Sequence, residues 1–175
     1  VRILFNIDHN ELYFYSIFWL HEMHNPEFNE PKMETLYWSL PPQFLGNRLT
    51  SYGGQLRYRQ RYAIQTTGEF ISDVDVFILG NGIVLQYINS KPFEEEEERY
   101  FVIHINAEDG SWQKIDQRTQ STGLASRIDF LKVLSNVTMI AIRATLHTQM
   151  TSSIIKDVML DEAVPNGYGA EQALS

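Results

Sequence analysis

The stretch DVDVFILGNGIVLQYIN (73–89) is the sequence feature that most limits the fold. In it, Asn81-Gly82 separates two apolar runs that are rich in β-branched residues. These two residues suit the left-handed angles of a type I′ turn, whose twist matches that of the flanking strands. The stretch therefore predicts a β-hairpin, and with it an antiparallel sheet.

A second strand pattern precedes it, over 55–65. Successive side chains of a strand point to opposite faces, and here one face carries apolar and amide side chains. The other face carries a row of three arginines, named here the arginine ladder: Arg57, Arg59 and Arg61. We interpret the ladder as a solvated or edge-protecting face, because exposed charges discourage edge-to-edge association. It is also the best candidate for contact with an acidic or protein partner.

Further apolar and β-branched runs lie between turn residues and predict more strands. They cover 12–20, 36–40, 99–105, 110–116, 137–146 and 154–164. The acidic run 94–99 is interpreted as a solvated loop. Turn residues interrupt the chain too often for βαβ units, so the strands indicate an antiparallel sheet structure.

One helix is predicted. Ser126 and Asp129 have the spacing of an N-cap and its acidic partner, and Ile128, Leu131 and Leu134 then recur on one face. The apolar positions span about two to three turns at 3.6 residues per turn. The expected fold class is all-β: an antiparallel β-sandwich of jelly-roll type with one short helix. No linker or repeat appears, so we expect a single domain over 1–175.

Charge and composition exclude several classes of function. The formal net charge of −8 argues against nucleic acid or an anionic membrane surface as the main partner. The chain has no cysteine, which excludes a thiolate nucleophile and cysteine-ligated zinc. The apolar start is interrupted by Asp8, His9 and Glu11, so no membrane span is expected there.

The sequence offers no convincing catalytic motif. His21 and His24 in HEMH are three residues apart, whereas the zinc-protease signature needs two histidines four apart on a helix. Carboxylates are abundant, but no glycosidase pair stands out. A sugar-binding sandwich would use exposed aromatics, and alternate aromatics on sandwich strands more often fill the core. The aromatic candidates are Tyr13, Tyr15, Trp38, Tyr58, Tyr62 and Trp112.

Two polar positions suggest further sites. Asp157, at the head of the last predicted strand, could supply one oxygen to a structural calcium, with Asp8 or Glu11 as partners. Calcium takes six to eight oxygens, so an exposed charge or a capped loop is the competing interpretation. Asn136-Val137-Thr138 is an N-x-[ST] triplet just after the predicted helix, which would accept a glycan in a secreted protein.

Four blocks of the sequence resemble one known family in their residues, order and spacing. They are LYWSLPPQFLGNRLTSYGGQLRY, LGNGI, SRIDFLKVLSNVTMIAIRAT and IIKDVMLDEAV. Together they resemble the laminin IV type A domain over about 37–164. Members of that family are modules in the short arms of laminin α and γ chains and in perlecan, inserted among EGF-like modules.

The resemblance implies a non-catalytic extracellular matrix module with no family active site. It implies a β-sandwich similar to that of carbohydrate-binding modules, so a sugar-binding module is the alternative function. It also implies secretion to basement membranes, with flanking EGF-like modules as neighbours and other matrix proteins or glycans as further partners. Residues 165–175 would be the exit toward an EGF-like module, and Asn136 becomes a credible glycan acceptor.

Overall fold

The computed structural model describes residues 35–89, 91–94, 96–108 and 110–163, together with the backbone of 5–8 and 11–14. Within these residues the chain forms eleven β-strands and one α-helix. The strands are β1 (Phe5–Asp8), β2 (Glu11–Phe14), β3 (Tyr37–Ser39), β4 (Gln55–Ile64), β5 (Val76–Gly80), β6 (Ile83–Tyr87), β7 (Arg99–His104), β8 (Trp112–Asp116), β9 (Ser121–Leu124), β10 (Val137–Arg143) and β11 (Met150–Leu160). The helix is α1 (Arg127–Leu134), and two short 3-10 helices cover Pro42–Phe44 and Leu49–Ser51.

The strands form an antiparallel β-sandwich, which confirms the predicted fold class. The large sheet has the order β3-β10-β5-β6-β8-β9, the small sheet has the order β11-β4-β7, and β1 pairs with β2. One continuous core joins the two sheets and α1. Its largest buried side chains include Trp38 and Ile142 of the large sheet, Leu56 and Tyr58 of the small sheet, and Phe130 of α1.

The predicted hairpin is confirmed as β5 and β6, with Asn81 and Gly82 at φ 51° and 76°. The hairpin tip contacts α1 closely: Asn81 Nδ2 donates to the carbonyl of Lys132 at 2.7 Å. A Cβ added to Gly80 would clash with the carbonyl oxygen of Val133. Glycine is therefore required where the strand meets the helix.

The predicted helix is confirmed, but its buried face matches the prediction only in part, at Leu134. Ser126 and Asp129 form a capping box at its N-terminus. The buried apolar residues are Phe130, Val133 and Leu134, whereas Ile128 is 64% exposed. The prediction that Ile128 shares the buried face is wrong, because α1 presents the Phe130 side to the aromatic ring of Trp112.

Several strand boundaries differ from the predictions. Strand β9 was not predicted, and β7 and β8, although neighbours in the chain, belong to different sheets. β10 ends at Arg143 rather than 146, and β11 begins at Met150 rather than 154. Of the strand predicted over 12–20, residues 12–14 lie in β2 and the rest lie outside the described residues.

A turn, a loop and the end of the helix lie together at one end of the sandwich, named here the hairpin end. It consists of the turn Asn81–Gly82, the loop 46–54 and the C-terminus of α1, and Gly46 bridges to Val137 there. β11 also finishes at this end, where the Ala163 amide donates to the Thr50 carbonyl at 2.8 Å. Strand β2, from the start of the chain, lies beside β11.

Candidate functional site: the arginine ladder

The arginine ladder lies on the outer face of β4, as the alternating pattern predicts. Residues 56, 58, 60 and 62 of β4 are buried, and the side chains of Arg59 and Arg61 are 48% and 47% exposed. β4 is the middle strand of the small sheet, paired with β11 on one side and β7 on the other. The edge-protecting interpretation is therefore wrong, and the solvated-face interpretation is confirmed.

Each arginine of the ladder is paired with an acid from a neighbouring segment. The Arg57 guanidinium holds Asp161 through two contacts, Nε to Oδ2 at 2.6 Å and Nη2 to Oδ1 at 2.8 Å. Arg59 contacts Glu98 at 3.1 Å and Asp157 at 3.4 Å. The remaining pairs are Arg61 with Glu96 at 3.5 Å, and Lys156 with Glu98.

These pairs neutralise the face. Four cations, which are Arg57, Arg59, Arg61 and Lys156, meet four carboxylates, which are Asp161, Glu98, Asp157 and Glu96. Hydrogen bonding to Asp161 raises the pKa of Arg57 further above its ordinary value, and the hydrogen bond from Lys156 lowers the pKa of Glu98. Both shifts favour the charged forms. The face is therefore a closed set of ion pairs rather than a cationic strip open to a polyanion.

Apolar side chains flank the ladder on the same face. Met159 and Val102 are the cross-strand neighbours of Arg57 on either side, and they are 42% and 41% exposed. Tyr100 is 48% exposed, and the Arg59 guanidinium lies 5.9 Å from its ring centroid. Tyr, Met and Arg are enriched at the centres of protein–protein interfaces. The composition of this face suits contact with a protein better than contact with a sulfated glycan.

Asp157 occupies a β-bulge in β11. The register shifts between Lys156 and Met159, and Asp157 has a φ of 53°. A non-glycine residue with such a positive φ is uncommon, and Asp is among the residue types that adopt it more often. Among the described residues, no group of three or more His, Asp and Glu side chains could hold a metal ion. The side chains of Asp8 and Glu11 lie outside the described residues, so calcium binding by Asp157 stays a prediction.

The aromatic candidates that the structure describes are part of the core. Trp38, Tyr58 and Trp112 are each 1% exposed, and Tyr62 is 5% exposed. Tyr58 stacks on Phe101 at 4.8 Å between ring centroids. Tyr13 and Tyr15, like His21 and His24, fall where the structure describes no side chain. The core interpretation is confirmed for the four described aromatics, and they form no sugar platform.

A buried polar network links the two sheets and was not predicted. Arg143 of β10 is 1% exposed, and its Nη2 donates to Asp75 Oδ1 at 2.7 Å. Gln60 of β4 donates through Nε2 to the Arg143 carbonyl at 2.7 Å. The signal was present in the sequence, as a single arginine within the apolar run MIAIRAT, but its partners come from distant segments.

The architecture defines a β-sandwich domain whose outer face is closed by ion pairs. A family model described as Laminin B (Domain IV) matches residues 37–175. This chain belongs to that family, the laminin IV domains, as its sequence blocks suggested.

Curated relatives and a solved structure agree with this family assignment. The chain is 34% identical over 146 residues to the basement membrane proteoglycan of Caenorhabditis elegans, a match that covers 83% of this chain and 4% of that protein. It is 33% identical over 141 residues to laminin subunit alpha-1 of Mus musculus, covering 75% of this chain and 4% of that protein. The L4b domain of human laminin alpha-2 has a TM-score of 0.63 and 25% identity, covering 77% of this chain and 71% of that chain.

The chain thus spans a small part of the length of its curated relatives. Those relatives are laminin and proteoglycan proteins, and the proteoglycans among them are named as basement-membrane proteins, which agrees with the expected extracellular matrix location. No helix in the described part of the chain is long and apolar enough to cross a membrane.

Proposed function

We propose that this chain is a non-catalytic structural module of a secreted basement-membrane protein. It would form one laminin IV type A domain over 1–175, within the short arm of a laminin-type or perlecan-type chain. Its mechanism is steric: a cooperative sandwich holds a protein-contacting face and its flanking EGF-like modules in fixed positions. Family membership supports the class of module, and the small share of each relative that the chain spans supports a multi-module setting.

The observation that carries the proposal is that an early strand lies beside the last strand. Strand β2 lies beside β11, and the segment after β11 is fastened to the hairpin end. There the Asp161 amide donates to the Gln55 carbonyl at 2.8 Å, and Thr50 Oγ1 donates to Glu162 Oε1 at 3.0 Å. An early strand beside the last strand suits a domain inserted into another module, because the interrupted module must close around the points where the chain enters and leaves the domain.

The proposed contact face is the outer face of the small sheet. It offers the arginine ladder with Tyr100, Val102 and Met159 to a matrix protein. The alternative of a carbohydrate-binding module is not supported, because the described aromatic candidates are buried.

Electron microscopy of an arm fragment tests the insertion. The fragment would contain this chain and its flanking modules, and a matched control would lack residues 1–175 with the interrupted module rejoined. We expect the same contour length in both, with a lateral globule only in the complete fragment. A contour longer by about 20 Å or more, the length of a strand such as β10 at about 3.3 Å per residue, would show that the module is an in-line spacer and overturn the inserted arrangement.

A further inference from the structure

The sequence Asn136-Val137-Thr138 lies at the hairpin end, where Asn136 ends the short connection from α1 and Val137 and Thr138 begin β10. Asn136 and Thr138 are exposed, while Val137 between them is 2% exposed and anchored in the core. This alternation directs the asparagine and the threonine outward. It is the only N-x-[ST] triplet with a permitted middle residue in the 175 residues.

The backbone of this connection is held without the Asn136 side chain. The Asn136 amide N–H donates to the Val133 carbonyl at 3.2 Å, and Val137 exchanges two backbone hydrogen bonds with Gly46, each at 2.8 Å. Within the described part of the chain, the side-chain amide of Asn136 has no hydrogen-bond partner. The fold therefore does not use the group that would carry a substituent.

The exposed side chains of the hairpin end are mostly polar, as at Asn47, Asn81, Lys132 and Ser135. Leu49, which is 40% exposed, is an apolar exception in the loop 46–54. The ladder is on the outer face of the small sheet, whereas Asn136 precedes a strand of the large sheet. A bulky group on Asn136 would cover the hairpin end and leave the ladder accessible.

We propose that Asn136 carries an N-linked glycan, an inference that rests on the proposed secreted location. In this transfer, Nδ2 of Asn136 attacks the anomeric carbon of a lipid-linked oligosaccharyl pyrophosphate. The new N–C bond replaces the C–O bond to the pyrophosphate, the lipid pyrophosphate leaves, and the amide nitrogen loses one proton. Transfer requires the Thr138 hydroxyl while the chain is still extended. In the folded protein that hydroxyl donates to the Leu79 carbonyl at 3.1 Å.

The test is expression of the full chain behind a signal peptide in eukaryotic cells, with electrophoresis of both medium and lysate. The wild-type protein is expected to show an apparent mass above its calculated mass. Treatment with peptide N-glycosidase should lower the apparent mass to the calculated value. Asn136→Gln and Thr138→Ala should both lack the shift. Thr138→Ser, which keeps the hydroxyl, should retain it.

The outcomes separate the two proposals. Unshifted wild type in both medium and lysate overturns the glycan, whatever the location of the module. A shift that persists in Asn136→Gln also overturns it. Shifted wild type that remains in the lysate supports the glycan and counts instead against secretion. Because Thr138→Ala also loses the hydrogen bond to Leu79, Asn136→Gln is the decisive variant if the former fails to fold.

Discussion

The Arg143 side chain, at the end of β10, is a cation almost completely removed from water. Moving a charge out of water costs several kcal/mol, and a partner offsets this only with close geometry. Asp75 supplies that partner at 2.7 Å, and the neighbouring carbonyl of Ile71 accepts a further hydrogen bond from Nη1. The pairs of the ladder have similar distances, but they lie in water, where such pairs contribute little.

Removing one partner should therefore have very different effects at the two sites. Asp75→Ala leaves the buried Arg143 unpaired and is expected to lower the free energy of unfolding by about 3–5 kcal/mol. Arg61→Gln removes an exposed pair and should change it by about 1 kcal/mol or less. Urea denaturation at neutral pH measures both. Equal losses would contradict the burial-based distinction.

At the scale of elements, the start of α1 is determined by local sequence, whereas the face that α1 buries is determined by contact with the sheet. Its N-terminus is specified by residues three apart, and the capping box forms as predicted. Its orientation is specified by contact with the sheet, where Phe130 meets Trp112 at 5.6 Å between ring centroids. The apolar residues of α1 lie on both its Ile128 side and its Phe130 side. Packing against the sheet buries the Phe130 side.

The orientation of α1 predicts a contrast between two of its apolar residues. Phe130→Ala should destabilise the domain by about 3–5 kcal/mol, since it empties a fully buried site. Ile128→Ala should change stability by no more than about 0.5 kcal/mol, as expected of an exposed position. Thermal or urea unfolding of the two variants measures both losses of stability. A larger loss for Ile128→Ala would restore the face that the sequence predicted.

The cap of α1 should also contribute to acid sensitivity. Burial acts to raise the pKa of Asp129, but hydrogen bonds from Ser126 and the contact with Lys114 at 2.9 Å outweigh it and hold the pKa below the usual carboxyl value. A lowered folded pKa stabilises the protein above the unfolded pKa of about 3.9, and this contribution is lost as pH falls further. The stability difference between wild type and Asp129→Asn should shrink as pH falls from about 5 to about 2. A difference independent of pH would contradict this role.

The predictions that succeeded were those with short-range causes. The hairpin follows from the left-handed angles that Asn81 and Gly82 accept, and β4 follows from alternation alone. What the sequence left open depends on distant residues: β7 and β8 are adjacent in sequence, but they pair with β4 and β6 in different sheets. β9 is exposed at all four residues, so it has no apolar alternation to reveal it. The ladder was found from its pattern, but its acidic partners required the folded structure.

At the scale of the whole molecule, the net charge of −8 and the paired ladder act together. Neither the overall field nor the ladder face offers uncompensated positive charge to a sulfated glycan. We expect the domain to pass through a heparin column at about 0.15 M salt. Retention that is lost in a triple Arg57→Gln, Arg59→Gln, Arg61→Gln variant would show that the ladder exchanges its acids for a polyanion. Retention that persists in that variant would place the polyanion site elsewhere.

The closure of the ladder by its own acids also has a kinetic consequence. Charges paired at contact distance cancel within a few ångströms, so the ladder itself adds no long-range attraction for an approaching protein. For a partner without net charge, association then proceeds at the unsteered rate of about 10⁵–10⁶ M⁻¹s⁻¹ and changes little with ionic strength. Any selectivity of the face must therefore arise from how slowly a partner leaves it, through the fit around Tyr100, Val102 and Met159.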